Sequence, residues 1–176
     1  MAGSTRRRAA RAAGLGAASA LVFGMTTGTS FAIENPPTVT ISVNFGVVAT
    51  THPDTVGCNG YQVTGAGTAG GAPVNGAVWA QKETACTATV PGKYDIKGTA
   101  TLTESDGDKL YISYELSAPL TSDTMVYPSG TFKILKGEGN FEDSTGGGQM
   151  SAKVNLLDHD HASATLTGYI RKYWQV

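Results

Sequence analysis

Tyr127-Pro-Ser-Gly-Thr-Phe-Lys-Ile-Leu-Lys-Gly-Glu-Gly-Asn-Phe-Glu-Asp-Ser-Thr-Gly-Gly-Gly-Gln-Met-Ser151 reads as strand, glycine turn, aromatic plug and second strand, the last running on to about Lys153. Thr131 to Leu135 alternates, which places Phe132 and Ile134 on one face of a strand. Gly137 and Gly139 are expected to supply positive φ angles for a tight, bulged reversal. Phe141, a lone large aromatic between two glycine clusters, is expected to fold inward and close the end of a sheet or barrel, and Gly146, Gly147 and Gly148 let the chain leave again.

The same period of two continues on both sides of this stretch, and no convincing helical period competes with it. Val39, Ile41, Val43, Phe45 and Val47 alternate with polar residues, as do Tyr94, Ile96, Gly98, Ala100 and Leu102, and then Leu110, Ile112, Tyr114 and Leu116. Ser105-Asp-Gly-Asp108 has the chemistry of a turn between the last two runs. Val74 to Thr84 is a less regular strand around Trp79. Met150, Ala152, Val154 and Leu156, followed by Ala164, Leu166, Gly168 and Ile170, make a final hairpin. Seven or eight strands, each with one apolar face, must close or stack to hide that face. The expectation is therefore an all-β domain, a single antiparallel β-barrel of about eight strands, with a two-sheet sandwich as the alternative. Long strands such as Lys93 to Ser105 suit tilted barrel staves.

The run Phe132-Lys-Ile-Leu-Lys-Gly-Glu-Gly-Asn-Phe141, with Gly146 and the final hairpin, resembles the F-x-I-x-x-G-x-G-x-F…G segment of allene oxide cyclases, dirigent proteins and their small bacterial relatives. The likeness covers about the last third of the chain. It implies an eight-stranded antiparallel barrel and assigns no catalytic residue upstream, so activity is left to the side chains themselves.

Met1 to Ala32 is read as an export leader. Arg6, Arg7, Arg8 and Arg11 form a basic start, Ala12 to Met25 is apolar, and Ser30-Phe31-Ala32 fits a small-x-small cleavage site. The apolar run is too short and glycine-rich for a transmembrane helix. Thr5-Arg6-Arg7 admits twin-arginine as well as general export. Residues 33–176 are then one mature, extracellular domain, long enough for a single core. With 13 Lys and Arg against 14 Asp and Glu, loss of the four leader arginines moves the net charge from −1 to −5. That acidity argues against nucleic acid and anionic membrane as partners.

An exported chain with only two cysteines, Cys58 and Cys86, is expected to carry one disulfide, worth about 3 kcal/mol on chain-entropy grounds. It would pin the Tyr61 to Pro73 segment, which is rich in Gly and Ala and looks too flexible to hold a shape unaided.

Chemistry-bearing motifs are sparse. Asp158-His-Asp-His161 has metal-ligand residue types, and His52 can be imagined completing a shell, but its place between two strands reads as a polar hairpin turn, with no metal expected. Gly137-x-Gly139 lacks the third glycine and the following helix of a nucleotide fingerprint, and no Gly-x-Ser-x-Gly elbow is present. No cofactor is indicated. Gln81 and Glu83 share the face of Trp79 if that segment is a regular strand, and Glu104 follows Leu102 at a strand end. A carboxyl among aromatic rings has its acid form stabilised and can assist proton transfer. Phe45, Tyr61, Trp79, Tyr94 and Tyr114 are the rings expected to line or plug a cavity, as ligand-binding residues, while Tyr169 and Tyr173 form an outer stripe. The favoured function is a secreted barrel that binds a small apolar ligand or a protein partner without catalysis. The alternative, supported by the resemblance, is a cyclase or isomerase acting on an apolar substrate inside the barrel.

Overall fold

The computed structural model describes residues 38–55, 58–87 and 92–171, so the leader, Tyr173 and Trp174 lie outside the described residues. Nine strands follow in order: β1 Thr38–Thr55, β2 Cys58–Gly71, β3 Val74–Thr87, β4 Lys93–Thr103, β5 Lys109–Pro119, β6 Met125–Val126, β7 Ser129–Glu138, β8 Thr145–Asn155 and β9 Ala162–Arg171. A three-residue 3-10 turn, Gly139–Phe141, joins β7 to β8.

All pairings are antiparallel, and the spatial order β1-β2-β3-β4-β5-β7-β8-β9 returns to β1 through the β9 pairing. The sheet is a closed eight-stranded barrel, which removes the sandwich alternative. β6 adds two residues against the end of β8, opposite Val154 and Asn155, past the stretch that pairs with β7. β1 gives residues 38–45 to β9 and residues from Ser42 onward to β2, an offset that expresses the stagger of closed barrel staves. No helix among the described residues is long and apolar enough to cross a membrane.

Closure sets two unlike ends. The β2–β3, β4–β5 and β7–β8 connections gather at one end, where Ile41, Val43, Trp79, Leu102, Leu110, Ile112 and Leu166 pack as a dry core. Phe141 is buried beneath it and joins the same cluster, as the aromatic plug reading requires. The turn that carries it differs in detail from expectation. Gly139 has φ 66°, but Gly137 is extended, and its glycine serves close approach, since a Cβ there would meet the Phe141 carbonyl. An irregularity in the β5–β7 register between Tyr111 and Ile112 leaves Leu135 and Lys136 both exposed, while Phe132 stays buried.

The Tyr61 to Pro73 segment corrects a second expectation. β2 is a regular stave, paired along its length with β1 and β3, not a loop pinned only by the bridge. Its inward positions toward the closed end, Gly65, Gly67 and Ala69, are small where its neighbours are large. Gly67 lies opposite both Phe45 and Trp79, whose ring centroids meet 6.3 Å apart. Gly65 lies opposite Gln81, and a Cβ there would stand 2.8 Å from Gln81 Cγ. The Cys58–Cys86 disulfide is formed, with Cα atoms 4.9 Å apart, and ties the start of β2 to the end of β3.

A candidate ligand cavity at the open end

At the other end the barrel is hollow. Inward residues of β1, β2, β3, β4, β5 and β8, with the chain leaving β5 and the β8–β9 turn, surround a cavity of about 380 Å³. That size is within the usual range for small-molecule sites, roughly 300–1,000 Å³. Its wall is mostly apolar, with Phe45, Val47 and Ala49 from β1, Ile96 from β4, Leu116 and Ala118 from β5, and Met150, Ala152 and Val154 from β8. Alternation explains the wall, because each of these is an inward position of its strand. Ala49, Ala85, Ala118 and Ala152 are interspersed among the larger wall residues, and the space left over these short side chains is not filled.

The floor is polar, and it comes from three successive inward positions of β3. Trp79 is fully buried and donates its indole N–H to Gln81 Oε1 at 2.7 Å. Gln81, only 5% exposed, lines the cavity. Glu83 also lines the cavity and accepts a hydrogen bond from the Tyr114 hydroxyl, 2.6 Å from Glu83 Oε2. This bond spans β4, because Gly98 lies between Glu83 and Tyr114 in the register. Any Cβ on Gly98 would collide with the Tyr114 ring, so the missing side chain is what lets the tyrosine lie across the stave and reach the carboxyl.

Burial pushes the Glu83 carboxyl above its ordinary pKa, and the Tyr114 hydrogen bond offsets part of that rise. Burial likewise pushes Tyr114 strongly up, with the facing carboxylate adding to it. Among the described residues Glu83 has no cationic partner to oppose these shifts. Burial in a wall of low polarity therefore biases the Glu83 carboxyl toward its neutral form.

The mouth is amphipathic. Tyr61 and Tyr94 approach with ring centroids 6.1 Å apart, and burial together with its Tyr61 neighbour raises the pKa of Tyr94. Leu120, Val126, Leu156 and His159 complete the rim. Of the five rings expected at a cavity, Phe45, Tyr61 and Tyr94 lie on its wall, while Trp79 and Tyr114 stand behind it and hold Gln81 and Glu83. Leu120 gave no sign in the sequence and His159 only that of a turn, since both sit in connections whose path only closure decides.

Other candidate chemistry lies elsewhere. Residues 158–161 form the turn between β8 and β9, with His161 Nδ1 2.9 Å from Asp158 Oδ2 and the Asp160 N–H donating to Asp158 Oδ1 at 3.2 Å. His159 lines the cavity mouth while His161 lines the outer face, so the two rings do not converge on one ligand. His52 belongs to β1, but its side chain is outside the described residues. At the closed end Glu104, Asp106 and Asp108 bring three carboxylate oxygens within 4.8 Å of one another. Asp106 Oδ1 accepts the Asp108 N–H at 3.2 Å, the ordinary internal bond of an acidic hairpin turn. Tyr169 is on the outer surface as expected. No family model, no curated protein and no solved structure matches this chain.

Proposed function

We propose that the chain is an exported barrel that holds a small apolar ligand in the cavity at its open end. The observation that carries this reading is the unfilled 380 Å³ space in a barrel whose other half is fully packed. An eight-stranded barrel can fill its interior with side chains or leave room for one small ligand, and here room is left over the alanines of the open end, Ala49, Ala85, Ala118 and Ala152. The Cys58–Cys86 bond and the basic, then apolar, leader support an oxidising, extracytoplasmic setting.

Binding is tested with a neutral fluorescent apolar dye such as Nile red, together with native mass spectrometry of protein taken from its own growth medium. Expected are saturable dye binding and a retained small molecule, both abolished by Ala152→Phe, which fills the cavity from its wall. Dye binding that survives Ala152→Phe in a folded variant places the site elsewhere and defeats the proposal.

A second reading is favoured by one specific observation, the Glu83–Tyr114 pair. In a cyclase or isomerase of the kind suggested by the likeness to allene oxide cyclases and dirigent proteins, a neutral carboxyl beside a confined apolar substrate supplies proton transfer, and confinement supplies the rest. Turnover of an apolar epoxide or diene by the native protein and its loss in Glu83→Gln would select this reading over simple binding.

A further inference from the structure

The polar groups of the cavity are not scattered. Gln81 and Glu83 stand on the floor, and the wall above them is apolar as far as the tyrosines and His159 of the mouth. The direction of the floor groups follows from their partners. An indole N–H can only donate, so Gln81 must turn its carbonyl oxygen to Trp79 and its NH2 group away from it. Tyr114 has one hydroxyl proton and gives it to Glu83 Oε2, which leaves Oε1 and any carboxyl proton to whatever fills the cavity.

We infer that the cavity selects a neutral amphiphile and seats it head first, a carbonyl or hydroxyl oxygen accepting from Gln81 and Glu83 and the apolar body filling the wall up to the mouth. The inference rests on the ligand-binding reading above and adds the chemistry and direction of the ligand. A carboxylate head is rejected because among the described residues no Lys, Arg or His pairs with Glu83, and a buried anion without a cation is costly. A plain hydrocarbon is disfavoured because it offers no acceptor to the Gln81 NH2 group or to the Glu83 carboxyl. Glu83 is faced by Tyr114 from β5, and the other titratable groups on the cavity are Tyr61 from β2, Tyr94 from β4 and His159 from the β8–β9 turn.

Methyl octyl ketone, decanoate and decane share one chain length and differ only in the head, so calorimetric titration of the full chain with each reads the head's contribution. The ketone should bind about tenfold more tightly than either of the others, the worth of a hydrogen bond to a buried donor. Its affinity should fall as rising pH removes the Glu83 proton. Glu83→Gln keeps the size of the group and a donor, so it should retain ketone binding and lose that pH dependence. Glu83→Ala should bring ketone affinity down toward that of decane. Decane or decanoate matching the ketone overturns the head-first assignment, as does a pH slope that persists in Glu83→Gln. Failure of all three probes to bind, decane included, overturns the cavity reading itself and the inference with it.

Discussion

Glu83 shows how a single inward position can serve binding at a cost to stability. Its folded-state pKa is raised by burial, so the contribution of this group to stability is fully present below the pKa of the unfolded carboxyl and is lost as pH rises through the folded value. Glu83→Gln has the same shape and no charge to bury. Its stability relative to the native chain should therefore increase with pH from mildly acidic to neutral conditions, then level off once the native carboxyl is ionised. Urea unfolding at a series of pH values below the tyrosine range reads this directly, and parallel curves for the two proteins would contradict a buried carboxyl. The position of Glu83 was legible in part. A strict alternation from Trp79 through Gln81 put it on the inward face, but nothing in the order of residues announced Tyr114 as its partner. That pairing depends on register across β4, and on Gly98 standing where the two side chains must pass.

At the scale of strands, the runs with large alternating side chains were readable and the run with small ones was not. β1, β4, β5 and β9 each show an apolar face that must be hidden, whereas β2 shows mostly Gly, Ala and Thr, the composition of a flexible loop. β2 is ordered from outside itself, by two full ladders and by Phe45, Trp79 and Gln81 occupying the space its glycines leave. The Cys58–Cys86 bond therefore acts at the rim, joining two staves that are already paired. With 28 residues of sequence separation, chain entropy gives its loss a cost of about 3 to 4 kcal/mol. Replacing both cysteines with serine should lower the urea midpoint accordingly, and amide exchange should quicken first at the mouth, near Tyr61 and Ala85, while Leu102 and Leu110 stay protected. An unchanged midpoint, or uniform loss of protection across the barrel, would remove the disulfide from its role as a rim clasp.

The molecule as a whole is divided along its axis into a packed half and a hollow half, and this division governs what mutations and ligands do. At the packed end Phe141 closes the core from the β7–β8 turn, held there by the left-handed Gly139, by the Phe141 carbonyl accepting the Ser144 N–H at 3.0 Å, and by its close approach to Gly137. Phe141→Ala removes a buried ring from a site whose surroundings are closed strands with little freedom to collapse. The loss of transfer energy and the new cavity together should cost about 3 to 5 kcal/mol. At the hollow end the comparison is Leu120→Ala. Leu120 is already 42% exposed and borders existing empty space, so its truncation should change stability by no more than about 0.5 kcal/mol. Ligand affinity should respond in the opposite order, falling for Leu120→Ala and holding for Phe141→Ala wherever the variant is folded. The two variants, each followed by urea unfolding and by dye titration, separate a plug from a binding wall. If Phe141→Ala keeps the native midpoint but loses the dye, the functional end of this barrel has been assigned to the wrong side.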